Sequence, residues 1–478
     1  MKKKLGNDLL LLNISVIAYA LYISFCIFKH KAALADDLSK IYESGNISQP
    51  YFKFIYSFLD SHTMAARPVS GFMTGTLMFL SGYSESVYWL GLFFFPLSLL
   101  VMYRVAQKIA SPQWAGLLAL LYSCSVIGTS IQFSPIMLNS NLATLFFCLS
   151  IYCLYVHKNI WGSSLLFIAS VFSYEIFLPL VLLHLYFIKE NKKRAIFMIL
   201  TVGFIIIFRK IIQPAVFENS YQRDEISKIF NVERILHIFI YAVKLFFRDV
   251  FVGVYKGILN LKKLNLYEWM AVLIIPSLVY KVFSGYDFKN EIRRFKNLGI
   301  ISFTGILLAM SIFLFSSYRP TLFGFDNRNL GAVRLFYTLF IISAVIFLGI
   351  KLNFKSKIIA SLLGFVAFLF LATNISAKNS WIYANHFNHE MFGKLRTALK
   401  QNNITHGDIC LDYNMSAEVK TNPGFTFREP VFYNTWEAPM LCKMNGIDPE
   451  KIHVYNMERK SDCKIIFLYK KGKMIRSK

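Results

Sequence analysis

From Leu9 to Phe28 the chain runs for 20 residues without a charge. At about 1.5 Å per residue, a helix of that length crosses the hydrocarbon core of a bilayer. Similar apolar runs recur through most of the sequence, each closed by a short cluster of Lys and Arg. That recurrence dictates the fold class, because in lipid each backbone N–H and C=O must be satisfied within the segment, as a helix does. With 55% hydrophobic residues and a mean hydropathy of +0.47, the chain is too apolar to cover itself with polar surface in water. Its formal charge of +25 lies between spans rather than in one stripe. This is the positive-inside pattern and excludes nucleic acid as a partner.

The basic stub Met1-Lys2-Lys3-Lys4 reads as cytoplasmic, and the run behind it is longer than the apolar part of a signal peptide, so it is expected to remain as a span. Later spans are predicted at Ser86–Tyr103, Trp114–Ile131, Ile136–Val156, Ala195–Ile212, Tyr267–Tyr280, Leu298–Phe315, Val333–Ile350 and Ile358–Ala377. Two short apolar helices, Ile160–Phe172 and Ile176–Ile188, meet at Ser173-Tyr174-Glu175. The segment Ile235–Ile258 carries Lys244, Arg248, Asp249 and Lys256, which would be costly at the membrane midplane. Laying it on the outer interface keeps the basic clusters on one side and gives about eleven spans, with the N-terminus inside and the C-terminus outside. Val69–Leu80 is too short to span and is expected as a re-entrant or surface element. The fold class expected is therefore an α-helical polytopic membrane protein. Residues 1–379 form the transmembrane domain, with a first outer loop at 30–85, and residues 380–478 form a small extracytoplasmic α/β domain. In that tail, helices are predicted at His389–Lys400 and Asn434–Met444, and strands at Asp408–Asp412 and Lys464–Tyr469.

Three polar groups fall on the predicted outer face. The first outer loop opens on Asp36-Asp37, carries His62 and closes on Arg67-Pro68; Tyr174-Glu175 lies between the short helices; and a loop from Ser317 holds Arg319, Arg328 and Arg334. Adjacent carboxylates where a helix leaves the bilayer need a partner, water or a chemical role. Acids gathered at one loop and arginines at another suit transfer of a sugar from a lipid phosphate. A carboxylate takes the proton of the acceptor hydroxyl, and planar guanidinium forks hold the phosphate as its charge grows. The same residues also suit plainer roles, as helix-terminal acids and as arginines reaching for lipid headgroups. No Walker loop, dinucleotide glycine fingerprint, His-Glu-x-x-His or Gly-x-Ser-x-Gly occurs.

The first span running into Ala35-Asp36-Asp37, the long first loop closing on Arg67-Pro68, the roughly dozen spans and the outer C-terminal domain together resemble the GT-C superfamily of polyprenyl-phosphate-sugar-dependent glycosyltransferases. The resemblance is nearest to the serotype-converting glucosyltransferases of bacterial O-antigen. It implies a multi-pass enzyme of the bacterial inner membrane, with its N-terminus cytoplasmic and its C-terminus periplasmic. The enzyme would move a hexose, glucose being the expected one, from undecaprenyl phosphate to a surface glycan such as lipopolysaccharide O-antigen, with inversion; because arginine already meets the monophosphate leaving group, no metal or other cofactor is expected, although other members of the superfamily use a metal. Asp36 or Asp37 would be the catalytic base, and Arg67, Glu175, Arg319, Arg328 and Arg334 would serve substrate binding. The partners implied are the lipid-linked donor, the glycan acceptor and membrane lipid. The rival readings are an O-antigen polymerase and a transporter or flippase of lipid-linked sugars, although the expected pseudo-symmetric halves of a transporter are missing.

Seven Cys occur, without zinc spacing, and three of them, Cys410, Cys442 and Cys463, lie in the tail. Cys442 and Cys463 flank a 20-residue connection, whereas Cys410 sits inside a predicted strand, so the expected disulfide joins Cys442 to Cys463.

Overall fold

The computed structural model describes residues 2–61, 63–183, 192–217, 232–316, 318–413, 422, 424–432, 434–456 and 463–477. His62, Ser317 and the end of the predicted Ile176–Ile188 helix lie outside these residues.

The chain is mainly helical, and eight of the described helices are long and apolar enough to cross a membrane. They are Gly6–His30, Glu85–Ile109, Pro135–Tyr155, Met198–Val216, Leu266–Phe283, Lys289–Leu314, Phe325–Lys351 and Ser356–Gln401. Each falls on a predicted span. The remaining prediction, Trp114–Ile131, forms no single helix. A helix at Pro112–Ser123 ends there, residues 124–129 are irregular, and a single turn follows at Ser130–Phe133. The break comes where Ser123-Cys124-Ser125 and Gly128-Thr129-Ser130 replace good helix formers, with Gly128 at φ +69°. Irregular backbone is tolerated among spans only when protein surrounds it, and residues 123–131 are all buried.

Two further segments are helical. Pro68–Ser81 is helical and packs through Gly71 and Gly75 against Leu59, Ile55 and Phe58 of the preceding Tyr51–Leu59 helix. Helical turns run without interruption from Val232 to Leu259, with a π-type stretch at Leu245–Asp249. Arg234 near the start of this segment donates to the Phe313 carbonyl, and Gly253 and Gly257 near its end meet Phe427 and Thr373.

The last helix, Ser356–Gln401, is 46 residues long, or about 70 Å at 1.5 Å per residue, more than twice the bilayer core. The expected span and the expected His389–Lys400 helix are thus one rod, and the 379/380 boundary falls inside it. Beyond it lies a four-stranded sheet in the order β2-β1-β3-β4. Strand β1 (Gly407–Tyr413) is parallel to both β2 (Ile452–Tyr455) and β3 (Ile465–Lys470), while β4 (Lys473–Arg476) returns antiparallel through Lys471-Gly472, both at positive φ as such a hairpin demands. The predicted Asn434–Met444 helix is present as Thr435–Glu437 followed by Ala438–Met444, started by an Asn434/Glu437 capping box. Tail side chains such as Ile409, Leu411, Phe425 and Phe467 belong to the same apolar core as the bundle.

The disulfide differs from expectation. Cys463 bonds to Cys410, not to Cys442. Neighbouring strands bring the two together: Cys410 lies in β1, Cys463 just before β3, and their Cα atoms are 5.6 Å apart, inside bridging range. Cys442 is a free, buried thiol in the Ala438–Met444 helix, where it packs as a small apolar group. Non-reducing peptide mapping is expected to recover Cys410 joined to Cys463 and Cys442 as an alkylated thiol. Closing a loop with a sequence separation of 53 stabilises by about 4 kcal/mol in the chain-entropy model, so Cys410→Ser should lower tail stability on that scale in denaturant titration.

Candidate active site

The opening helix ends at His30, and a buried apolar link, Ala32-Ala33-Leu34-Ala35, carries the chain into the Asp36–Ser44 helix. Trp381 of the last helix donates from Nε1 to the Ala32 carbonyl at 2.8 Å. Ala35 is held at φ +52°, ψ −126°, a conformation that costs a non-glycine residue on the order of 1–3 kcal/mol. It turns the chain so that both aspartates lie in the first turn of the new helix, at the positive end of its dipole.

Successive helical residues point about 100° apart, and the two carboxylates meet different surroundings. Asp37 is completely buried. It accepts from Tyr88 Oη at 2.8 Å, Ser134 Oγ at 2.6 Å and the Ile136 N–H at 3.0 Å. Burial pushes its pKa up to about 7, although the three donors pull the other way. Asp36 keeps a quarter of its side chain exposed and pairs with Arg328. The Arg328 guanidinium also lies over the Phe325 ring, 4.0 Å from its centroid.

The next residue, Asn329, accepts from the Tyr174 hydroxyl. Tyr174 in turn lies under the guanidinium of Arg67, at 4.4 Å. Arg67 grips Glu175 with two bonds, Nε to Oε2 at 2.7 Å and Nη2 to Oε1 at 2.6 Å. Burial alone would raise the Glu175 pKa, but the charges of Arg67 and Arg209 outweigh it and hold the carboxyl below its ordinary value. Arg209 also donates to the Ala66 carbonyl at 3.1 Å, beside Arg67. The fold thus joins the three separate polar groups of the sequence into one chain of contacts: Asp36, Arg328, Asn329, Tyr174, Arg67, Glu175.

Two expected members stand elsewhere. Arg334 is fully buried and donates to backbone carbonyls, from Nε and Nη2 to Tyr122, from Nη1 to Gly128 at 2.7 Å and from Nη2 to Ser123 at 3.2 Å. The expectation that it binds substrate is corrected: it satisfies the carbonyls freed where the Pro112–Ser123 helix breaks. Arg319 is exposed and sits against Tyr241, 3.3 Å from its hydroxyl and 5.5 Å from the ring centroid. It is at the edge of the site, sharing with Arg328 only the neighbourhood of Asp326.

Sequence reasoning gave no role to Tyr88, Ser134 or Asn329, ordinary polar residues until the fold places them. It also missed Arg209, for which a signal existed: a charge in an apolar helix is a functional marker, and here the helix widens into a π-turn at Phe208–Ile212. Among the described residues, no cluster of three or more His, Cys, Asp or Glu is placed to hold a metal ion. No family model, curated protein or solved structure matches the chain.

The raised Asp37 pKa has a definite sign. Between the ordinary carboxylate value and about 7, the folded protein holds a proton that the unfolded chain has released, so stability falls as pH rises through that window. Asp37→Asn supplies a neutral group that still accepts from Tyr88 and Ile136. Thermal unfolding from pH 4 to 8 is expected to show a stability loss in the parent protein and a flatter profile in the variant.

Proposed function

We propose that this protein is a GT-C-type glycosyltransferase of the bacterial inner membrane, which moves a hexose, glucose by expectation, from undecaprenyl phosphate to a surface glycan. The observation that carries the reading is the pairing of Asp36 with Arg328, a carboxylate and a phosphate-matching guanidinium held against each other at a partly open position. When the donor binds, its phosphate takes over Arg328 through charge-assisted bonds. Asp36 then loses its partner and becomes available as a base. It accepts the acceptor hydroxyl proton while that oxygen attacks the anomeric carbon; the bond to the phosphate oxygen breaks, and undecaprenyl phosphate leaves with the electron pair. One displacement inverts the anomeric centre. Asp37 supports this step by anchoring the turn that aims Asp36, while the Arg67–Glu175 pair fixes Tyr174 and Asn329 behind Arg328.

The membrane arrangement proposed keeps eleven spans. To the eight long helices it adds the broken segment 112–133 and the two short elements that meet at Tyr174. It leaves Val232–Leu259 on the outer interface. Contacts support that placement: both ends of this segment touch parts of the bundle adjoining the Arg328 loop, near Phe313 at one end and Phe427 and Leu322 at the other. The Cys410–Cys463 bond supports a periplasmic tail, since disulfides persist in oxidising compartments.

With purified protein in proteoliposomes and undecaprenyl-phosphate glucose as donor, Asp36→Asn is expected to lower transfer by ~10² to 10⁴ while leaving donor binding in place. Arg328→Ala should weaken donor binding by roughly 1.5–3 kcal/mol. Wild-type rates in Asp36→Asn would remove the base assignment, and turnover with diphosphate-linked donors alone would favour a polymerase. Cysteine placed at Asn290 is expected to label only from the cytoplasmic side; labelling from outside would overturn the topology.

A further inference from the structure

Away from Asp36, a cavity of about 370 Å³ opens between the last helix, the Asn260–Lys263 turn and the tail segment around Asn422 and Gly424. This is within the size range of small-ligand sites. Among the described residues its wall is rich in amides and hydroxyls, carries one lysine, Lys263, and has no carboxylate. We propose that it is a subsite for a neutral or acidic sugar residue of the acceptor glycan; the inference rests on the transferase reading for the word acceptor, and on the cavity alone for sugar binding.

The lining is built rather than incidental. Three asparagines are fixed through their Nδ2 atoms: Asn422 to Tyr383 Oη at 3.0 Å, Asn379 to Glu268 Oε2 at 3.3 Å and Asn260 to Thr426 Oγ1 at 3.5 Å. Ser380 Oγ accepts the Thr426 N–H at 2.8 Å, and Ser376 Oγ shares a hydrogen bond with Thr426 Oγ1 at 2.8 Å. Amides held this way offer a second N–H and an oriented carbonyl oxygen, that of Asn422 already accepting the Gly424 N–H at 2.8 Å, the mixed acceptor and donor set that sugar hydroxyls require. Tyr383 is 38% exposed, and its ring gives an apolar plane beside those groups, suited to the C–H face of a pyranose. Gly424 is required there, because a Cβ at that position would lie 2.4 Å from the Tyr383 ring.

A structural link runs from this cavity to the proposed chemistry. Three residues after Gly424, the Phe427 carbonyl accepts the Gly324 N–H at 2.9 Å, and the Arg428 guanidinium lies 4.8 Å from the Phe323 ring. Gly324 opens the Phe325–Leu330 turn that carries Arg328. The tail residues that continue from Gly424 of the cavity wall therefore also brace the loop that pairs with Asp36. A glycan seated in the cavity would contact the segment that holds that loop.

The test is saturation-transfer NMR on the full chain in lipid nanodiscs, with free glucose, galactose, rhamnose and N-acetylglucosamine as probes and with glycerol phosphate and inorganic phosphate as separate arms. At least one sugar is expected to bind, with Asn260→Ala and Tyr383→Ala each lowering the signal tenfold or more and Lys289→Ala, at an exposed position outside both the cavity and the proposed machinery, leaving it unchanged. Tyr383→Phe, which keeps the ring, is expected to bind more strongly than Tyr383→Ala and guards against a misfolded alanine variant. Sugar signals that ignore both positions would overturn the subsite. So would binding confined to glycerol phosphate or inorganic phosphate and dependent on Lys263, which identifies an anion or headgroup site. Sugar binding at these residues without any transfer activity supports the subsite and removes the transferase reading, whereas transfer with no dependence on these residues does the reverse.

Discussion

A helix that breaks among membrane spans must find partners for the carbonyls it releases, and here one side chain finds them. Arg334 gathers the carbonyls of Tyr122, Ser123 and Gly128 with its guanidinium. Tyr122 and Gly128 also accept the Ser125 and Ile131 N–H groups at 3.4 and 3.2 Å, so Arg334 adds to those bonds and supplies the donor for Ser123; a buried acceptor left unpaired costs about 1–3 kcal/mol. The aromatic rings of Tyr122 and Phe95, 4.9 and 5.4 Å from the charge, help to hold it in an apolar setting. The break in turn delivers Ser134 and Ile136 to Asp37, so the anchoring of the first aspartate pair depends on an arginine far along the chain. Close backbone approach tightens the same joint. A Cβ on Gly91 would lie 2.6 Å from the Pro135 carbonyl oxygen, and one on Gly331 would lie 2.1 Å from Ser140 Oγ.

Two identical side chains in adjacent positions thereby acquire different properties. The apolar burial of Asp37 favours its protonated form, against the pull of its three donors. Asp36 faces a guanidinium and some solvent. Environments that separate paired carboxylates in this way are how acid and base roles become distinct in enzymes. The separation depends on the backbone: Ala35 in its positive-φ conformation fixes which of the two residues turns inward.

Much of this was legible in the sequence, and the illegible parts have specific causes. Apolar run length located the long helices, and charge clustering located the acidic and basic loops. Neither reports distance between segments, so Tyr174 and Asn329, 155 residues apart, gave no sign of their bond. Arg328 and Arg334 look alike in sequence, six positions apart at the head of one apolar run, yet one faces an aspartate and the other a broken helix. The break itself was hidden because Val126, Ile127 and Ile131 keep hydropathy high across it, while serines and Gly128 undo the helix. For the cysteines, loop length favoured Cys442 with Cys463, but the parallel pairing of β1 with β3, a long-range register, decided for Cys410.

The last helix explains why the tail resists being treated as an appendage. A rod of 46 residues crosses the apolar zone and continues into the polar domain without a hinge. Along it, Asn374 accepts from Tyr19, Lys378 pairs with Glu268, Trp381 reaches Ala32 and Phe387 packs on Phe425 and Tyr469. Those partners belong in turn to the opening helix, the Leu266–Phe283 span, the link before Asp36 and the tail. Because a packed helix transmits displacement instead of absorbing it, a shift of the tail sheet moves the Ala32 link and the Phe427–Gly324 bond together. Asp36 stands just beyond the first and Arg328 just beyond the second. The placement of carboxylate and guanidinium is therefore tied on both sides to one continuous helix.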